Sequence, residues 1–297
     1  MVGSSLGATG IAELGSIASW ARSLATFRAA STQRNLASGS AHGGRDFEVL
    51  VGQVITEYVA DLPRTLPECV LQRLTCMADK RTCTCHQSGR YYLAASLNER
   101  TMVWAFEEAP EPSPSLPETS VACTWLKKEY EVRDWYDPRL HDSRITRWLP
   151  APGDETCYVG PSSYPKLYAG KTTKFDGTIL FIEKGALRSK RLVEAKSGKS
   201  NGSGGLDGNA HERFAYQSLE YLEIAELNLE LGIELLLMTN DAFVAHRNKY
   251  HTGFAVHALR LSTAFPSYKF NMVGTTSQYT ALLEGWSRWL RSGGTPP

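Results

Sequence analysis

The spacing of apolar and polar positions changes several times along the chain, and each change predicts an element. TILFIEKG, just after Asp176, and RLVEAK, ending in Glu194 and Lys196, are short and rich in apolar and β-branched residues. The polar GALRSKR turn separates them, so together they predict a β-hairpin. RYYLAASLNERTMVWAF, which follows Gly89, predicts two more strands joined by an LNER turn. ELLLMT is a fully apolar run of the kind found in the middle of a mixed sheet. Helical spacing governs RDFEVLVGQVITEYVADL, where Phe47, Leu50, Val51, Val54, Ile55 and Val59 recur on one face. This predicts an amphipathic helix packed on the sheet and ended by the prolines at 63 and 67. HERFAYQSLEYLEIAELNLELG predicts a long helix with Phe214, Leu219, Leu222 and Ala225 inward, stopped near Gly232. DAFVAHRNKYHTGFAVHALRL suggests another helix and strand, and its His246, Arg247, Lys249 and His251 read as a solvated basic surface. In TSQYTALLEGWSRWLRSG, Leu282, Leu283, Trp286 and Trp289 share one helical face, suited to capping the core or to a dimer contact.

The remaining stretches are irregular. EEAPEPSPSLPE carries four prolines and several acids and predicts a surface loop. TSVACTWLKKEYEVRDWYD returns as a strand followed by a helix or irregular segment. Its Trp125, Trp135 and Tyr136, mixed with Lys127, Lys128 and Arg133, read as buried rings with charges outside, and contact with DNA is the alternative. PAPGDETCYVGPSSYPKLYAGKTTK is loop-rich, and its Lys166, Lys171 and Lys174 are candidates for phosphate contacts. Residues 1–45 are rich in Ser, Ala and Gly. Helix-like spacing in IAELGSIASWARSLATF predicts an N-terminal arm or helix with a flexible joint at SGSAHGG, an organellar presequence being the alternative. The expected organisation is that arm over 1–45 and one domain over 46–297.

Composition adds bounds. A chain of 297 residues with 42% hydrophobic and 21% charged residues has ample length for a buried core. No apolar run approaches a bilayer span, so no membrane partner is expected. A net charge of +1 is neutral on nucleic acid, because acids elsewhere can cancel a local basic cleft. The six cysteines do not pair as zinc ligands usually do, since CVLQRLTCMADKRTCTCH gives long C-x(6)-C and short C-x-C-H spacings. Cys69, Cys76, Cys83 and Cys85 are therefore read as free thiols, with a zinc-binding interaction module the alternative.

The chemistry gathers at the first hairpin. A hairpin can bring Asp176 and Glu194 side by side at one end of a sheet, and Glu194 and Lys196, two residues apart, leave the same face of their strand. Two carboxylates suit Mg²⁺, which takes one or two protein carboxylates together with water and phosphate oxygens. Such a metal supplies a hydrolytic nucleophile and neutralises charge at phosphorus, while Lys196 can orient that nucleophile or stabilise the transition state. Glu48 and Glu57 in the early helix are read as solvent-facing, the alternative being a further carboxylate at the metal. The loop SGKSNGSGGLDG holds five glycines, so its backbone can approach a partner closely. It does not follow the G-x(4)-G-K-[ST] order of an NTPase phosphate loop.

The D-x(n)-E-x-K arrangement resembles the PD-(D/E)-x-K nuclease superfamily, with Phe175 standing where the proline is usual. EAKSGKS followed by GNAHERF is similar to the corresponding part of EcoRI-type restriction endonucleases, in which an E-A-K strand leads through a loop to a G-N-A-x-E-R segment. The similarity covers roughly residues 174–230, and His211 stands where a large apolar residue is usual. It implies an α/β fold with a central mixed β-sheet flanked by helices. The implied catalytic residues are Asp176, Glu194 and Lys196, with Asp176 and Glu194 holding Mg²⁺. Lys199, Gly208, Asn209, Ala210, His211, Glu212 and Arg213 become the implied DNA-binding residues. Their chemistry is apt: Asn pairs with adenine, Arg with guanine, and Glu accepts from an exocyclic amine in the major groove.

The resemblance further implies a homodimer cutting both strands of a palindromic site in double-stranded DNA to leave 5′-phosphates. A cytoplasmic bacterial or archaeal setting and a partner DNA methyltransferase come with it. Two other functions compete: a repair or recombination nuclease that recognises DNA structure, and a non-catalytic DNA-binding protein.

Overall fold

The computed structural model describes residues 16–28, 39–76, 92–106, 108–121, 127–129, 155–157, 163–165, 172–198, 221, 233–250, 261–265 and 269–297. Along the chain these form α1 (Ile17–Ala25), α2 (Gly39–Thr65), β1 (Val70–Cys76), β2 (Tyr92–Leu97), β3 (Arg100–Phe106), β4 (Glu118–Val121), β5 (Lys127–Glu129) and β6 (Glu155–Cys157). They continue with β7 (Ser163–Pro165), β8 (Thr172–Lys174), β9 (Gly177–Glu183), β10 (Ala186–Lys196), β11 (Ile233–Thr239), α3 (Asp241–Tyr250), β12 (Phe270–Val273) and α4 (Thr276–Ser292).

Eight strands make one mixed sheet in the order β12-β11-β10-β9-β3-β2-β1-β4, and β5 with β6 and β7 with β8 form two small separate pairs. The stretch from β1 through β2, β3 and β9 to β10 is antiparallel, whereas β11 and β12 add in parallel to β10. The chain is thus α/β with a mixed sheet and helices. Alternation along the strands divides the faces. Met102, Trp104 and Phe106 of β3, Ile179 and Phe181 of β9, Val193 and Ala195 of β10, and Leu236 and Met238 of β11 join α1, α2 and α4 in one core. Leu237 points the other way, into a cluster with Phe243, Val244 and Met272 beside α3.

Helix α4 lays Tyr279, Leu282, Leu283, Trp286, Trp289 and Leu290 into the large core, so its apolar face caps the sheet. Thr275 and Gln278 close its N-terminus as a reciprocal capping box. At its other end the Arg100 guanidinium donates to the Leu290 and Arg291 carbonyls and pairs with Glu183. The buried Tyr58 hydroxyl of α2 donates to the Leu283 carbonyl at 2.6 Å, tying the two helices together.

Three boundaries differ from the sequence expectation. Helix α2 begins at Gly39, so the SGSAHGG joint is largely helical and the helix runs across the expected 45/46 division. Elongating an established helix fixes few dihedrals per hydrogen bond, so a packed apolar face can carry weak helix formers with it. Helix α1 buries Trp20, Ala21, Leu24 and Ala25 in the same core as the sheet. Pro63 lies inside the last turn of α2, which continues to Thr65. The β9–β10 connection is shorter than the seven-residue turn expected: Lys184 (φ 53°) and Gly185 (φ 74°) alone make it. Two consecutive left-handed residues match the strand twist, so β10 starts at Ala186. A register shift between Leu187 and Ser189 absorbs the irregularity.

Candidate active site

The site grows from the place where the β9–β10 ladder ends. The last paired residues there are Gly177 and Val193. One position further, a side chain replaces the backbone as acceptor: the Ala195 N–H donates to Asp176 Oδ2 at 2.8 Å. On its other flank Gly177 lets β9 lie close to β3, because a Cβ there would meet the Phe106 ring at 2.3 Å and the Ala105 carbonyl at 2.8 Å. Asp176 is therefore held against the end of β10 by a backbone bond as well as by the chain.

Glu194 and Lys196 follow on one face of β10, as their spacing predicts. The Lys196 ammonium reaches Glu194 Oε1 at 2.5 Å, with side-chain exposures of 27% and 4%. Such a carboxylate is stable only beside a counter-charge. The pKa of Lys196 is raised. Burial, the largest single influence, pulls it down, but the combined attraction of Glu194, Asp176 and Glu48 and the bond to Glu194 outweigh it. Lys196 thus stands as an ammonium among three acids from three elements: β10, the start of β9, and α2.

The two helical carboxylates expected to face solvent are both half-buried, and they separate in role. Glu48 contributes to the field at Lys196. Glu57 lies towards Trp20 of α1, its pKa raised by burial, the larger influence, and lowered in part by the neighbouring indole.

Sequence reasoning missed Asn240. This residue is fully buried between β11 and α3. Its Oδ1 accepts from the Gly198 N–H at 2.8 Å and from the Phe243 N–H at 3.2 Å. Its Nδ2 donates to the carbonyls of Gly198 at 2.8 Å and Phe27 at 3.0 Å. An Asn placed just before a helical stretch is an N-cap signal, so the Phe243 bond was readable from TNDAF. The bonds to Gly198 and Phe27 carry no local signal.

The structure brings together Asp176, Glu194 and Lys196. The candidate DNA-binding residues Lys199, Gly208, Asn209, Ala210, His211, Glu212 and Arg213 lie outside the described residues, as do Lys166, Lys171 and the side chains of Lys174, His246, Arg247, Lys249 and His251. Of the cysteine segment, only the Cys69 thiol is described. It is buried, and burial pushes its pKa up to about 11. Among the described residues no group of three or more His, Cys, Asp or Glu side chains is placed to hold a metal, and no helix is long and apolar enough to cross a membrane. The acids flanking the end of β10 form a pair, the number of carboxylates that Mg²⁺ commonly takes from protein. Hard oxygen donors without sulfur or imidazole are the right class for that ion.

No family model, no curated protein and no solved structure matches the chain.

Proposed function

We propose that the chain is an Mg²⁺-dependent site-specific endonuclease with a restriction-endonuclease-like core, cleaving double-stranded DNA as a homodimer in the manner of type II restriction enzymes. One observation carries the reading: Asp176, Glu194 and Lys196 converge at a single strand end, with both acids acting on the lysine and the lysine bonded to Glu194. A purely structural hairpin gains little from burying a carboxylate that only one cation neutralises. A phosphodiesterase needs that carboxylate where metal and phosphate meet.

Asp176 and Glu194 would hold Mg²⁺, which supplies electrophilic help to the phosphate and a water acidic enough to attack at neutral pH. The chain's own groups do the rest. Asp176, fixed by the Ala195 N–H, presents its carboxylate without having to reorient. Lys196 holds a positive charge where negative charge develops on the phosphoryl oxygens, and the 3′-oxygen leaves with the phosphate retained at the 5′ end. Reading of bases falls to the segment from Gly208 to Arg213, with Lys199 on phosphate.

The test is a digest of several sequenced plasmids by purified protein, in Mg²⁺ or in EDTA, with sequencing of the fragment ends. Discrete metal-dependent fragments sharing one short palindrome are the expected outcome. A metal-dependent smear would replace the proposal with a structure-directed nuclease. DNA left intact under every condition would leave a non-cleaving binder as the better reading.

A further inference from the structure

The β10–β11 ladder ends with Lys196 paired to Thr239. Beyond it the pairing is continued by a side chain. The carboxamide of Asn240 takes both polar groups of Gly198, accepting its N–H and donating to its carbonyl, each at 2.8 Å. It replaces the next rung of the sheet. The same amide caps α3 through the Phe243 N–H and holds the Phe27 carbonyl past the end of α1. On the other side of Lys196, the Ala195 N–H is held by Asp176. The backbone is therefore clamped by a side chain one residue before Lys196 and two residues after it.

We infer that Asn240 is a positioning residue for Lys196: the two clamps, at Ala195 and Gly198, fix the strand end from which the ammonium reaches Glu194. The inference rests on the nuclease reading for the role of Lys196, and it adds a residue that the D-x(n)-E-x-K pattern does not contain. Asparagine is specified here by its bonding. The site uses two acceptances at Oδ1 and two donations from Nδ2, and only a carboxamide offers both. Aspartate still accepts from Phe243, but its second oxygen faces the carbonyls of Gly198 and Phe27, and that repulsion drives the Gly198 backbone off the side chain so that its N–H bond is lost as well. Alanine leaves three buried backbone groups and the part-buried Phe27 carbonyl without this partner.

The experiment uses the full chain and the variants Asn240→Asp and Asn240→Ala. Three quantities are read: amide hydrogen exchange at Gly198 and along β11, DNA affinity in EDTA, and the single-turnover rate of plasmid cleavage in Mg²⁺. In Asn240→Asp, exchange at Gly198 is expected to quicken by about tenfold or more while the inner amides of β11 keep their protection. Cleavage should fall about 100-fold, the effect of displacing a catalytic group by about 1 Å, with DNA affinity unchanged within about twofold. Should Asn240→Ala fail to fold, Asn240→Asp still accepts from Phe243 and decides the matter. Unchanged Gly198 exchange in a folded variant overturns the clamp. A parallel fall in cleavage, DNA affinity and β11 protection overturns positioning in favour of a general structural role. If the unaltered protein cleaves no DNA while Gly198 exchange responds, the clamp stands and the nuclease reading falls; cleavage that persists at full rate in Asn240→Asp overturns the positioning of Lys196 and leaves the nuclease reading standing.

Discussion

Replacing Lys196 by methionine keeps most of the apolar stem and removes the charge that faces Glu194. The Glu194 side chain is only 4% exposed, whereas that of Lys196 is 27% exposed, so the stranded carboxylate cannot be rehydrated without moving the strand end. Removing one partner of a fully buried pair costs about 3–5 kcal/mol; allowing for water at the lysine end, about 2–4 kcal/mol is expected here. Asp176 and Glu48, which also act on Lys196, keep the loss from being smaller. For a chain of this size that corresponds to a fall in Tm of about 3–6 °C. The penalty should have two signatures. Protonation removes the stranded charge, so the gap between variant and parent narrows as pH falls. Adding Mg²⁺ supplies replacement charge at the same acids, so the gap also narrows on moving from EDTA to Mg²⁺. Metal-dependent cleavage should fall at least about 100-fold with DNA binding retained. The assay is a set of melting curves for both proteins across pH, with and without metal. A penalty that is constant in pH and indifferent to Mg²⁺ would show that the lysine stem packs rather than its charge pairs, and would refute both the ion-pair argument and the metal assignment.

Asp176→Asn retains an oxygen that can accept the Ala195 N–H. It is therefore expected to shift Tm by less than about 1 kcal/mol equivalent while abolishing metal-dependent cleavage, checked by melting and plasmid nicking side by side. Gly293 has φ 73° and ψ −150°, a region open essentially to glycine alone, and an added Cβ would lie 2.6 Å from the Arg100 guanidinium. Gly293→Ala should destabilise by about 1–3 kcal/mol in urea titration. The Cys69 thiol, raised to about 11 by burial, stays protonated in the folded chain after an unfolded thiol has ionised near pH 9. The folded state then binds more protons than the unfolded state, so stability falls as pH rises between about 9 and 11. Lys196, raised for its own reasons, adds to the loss in the same direction as its ion pair is neutralised. Denaturation midpoints across that range should decline less steeply in Cys69→Ala. Asn209→Ala and Arg213→Ala should weaken binding to the cleavage site more than binding to unrelated DNA; equal loss of both in competition assays would make Arg213 a phosphate contact instead.

The parts of this structure that sequence reasoning reached are those governed by local periodicity. The β2–β3 and β9–β10 hairpins follow from alternating apolar runs broken by polar turns, and α4 follows from four large apolar residues at helical spacing. The convergence of Asp176 with Glu194 and Lys196 followed because a hairpin plus a period of two determines which side chains meet. What escaped were features set by distant chain. Asn240 bonds Gly198 across 42 positions and Phe27 across 213. Nothing near TNDAF names either partner. Glu48 was indistinguishable from Glu57 by spacing alone, since both lie on one amphipathic helix; only the packing of α2 over the end of β10 sends one towards Lys196 and the other towards Trp20. The start of α2 at Gly39 was hidden for a related reason, because glycine and serine disfavour helix locally while a long packed face overrides them.

The strand end can hold its charges because of how the sheet stops. Hydrogen-bonded rungs on the two sides of β10 end at different heights, at Val193 towards β9 and at Lys196 towards β11. A frayed end would let Ala195 to Gly198 move, and a lysine on a mobile segment would spend its binding energy on ordering itself. Here polar side chains take over where the backbone partners run out, Asp176 on one flank and Asn240 on the other. Behind them Val193 and Ala195 remain in the apolar core, with Gly177 leaving room for Phe106 against the first residues of β9. The acids therefore stand against a close-packed wall. Charge held against such a wall interacts strongly with whatever cation or phosphate arrives, because little water is present on that side to screen it. The same wall keeps the attraction between Lys196 and the acids around it strong enough to outweigh the cost of burying the ammonium.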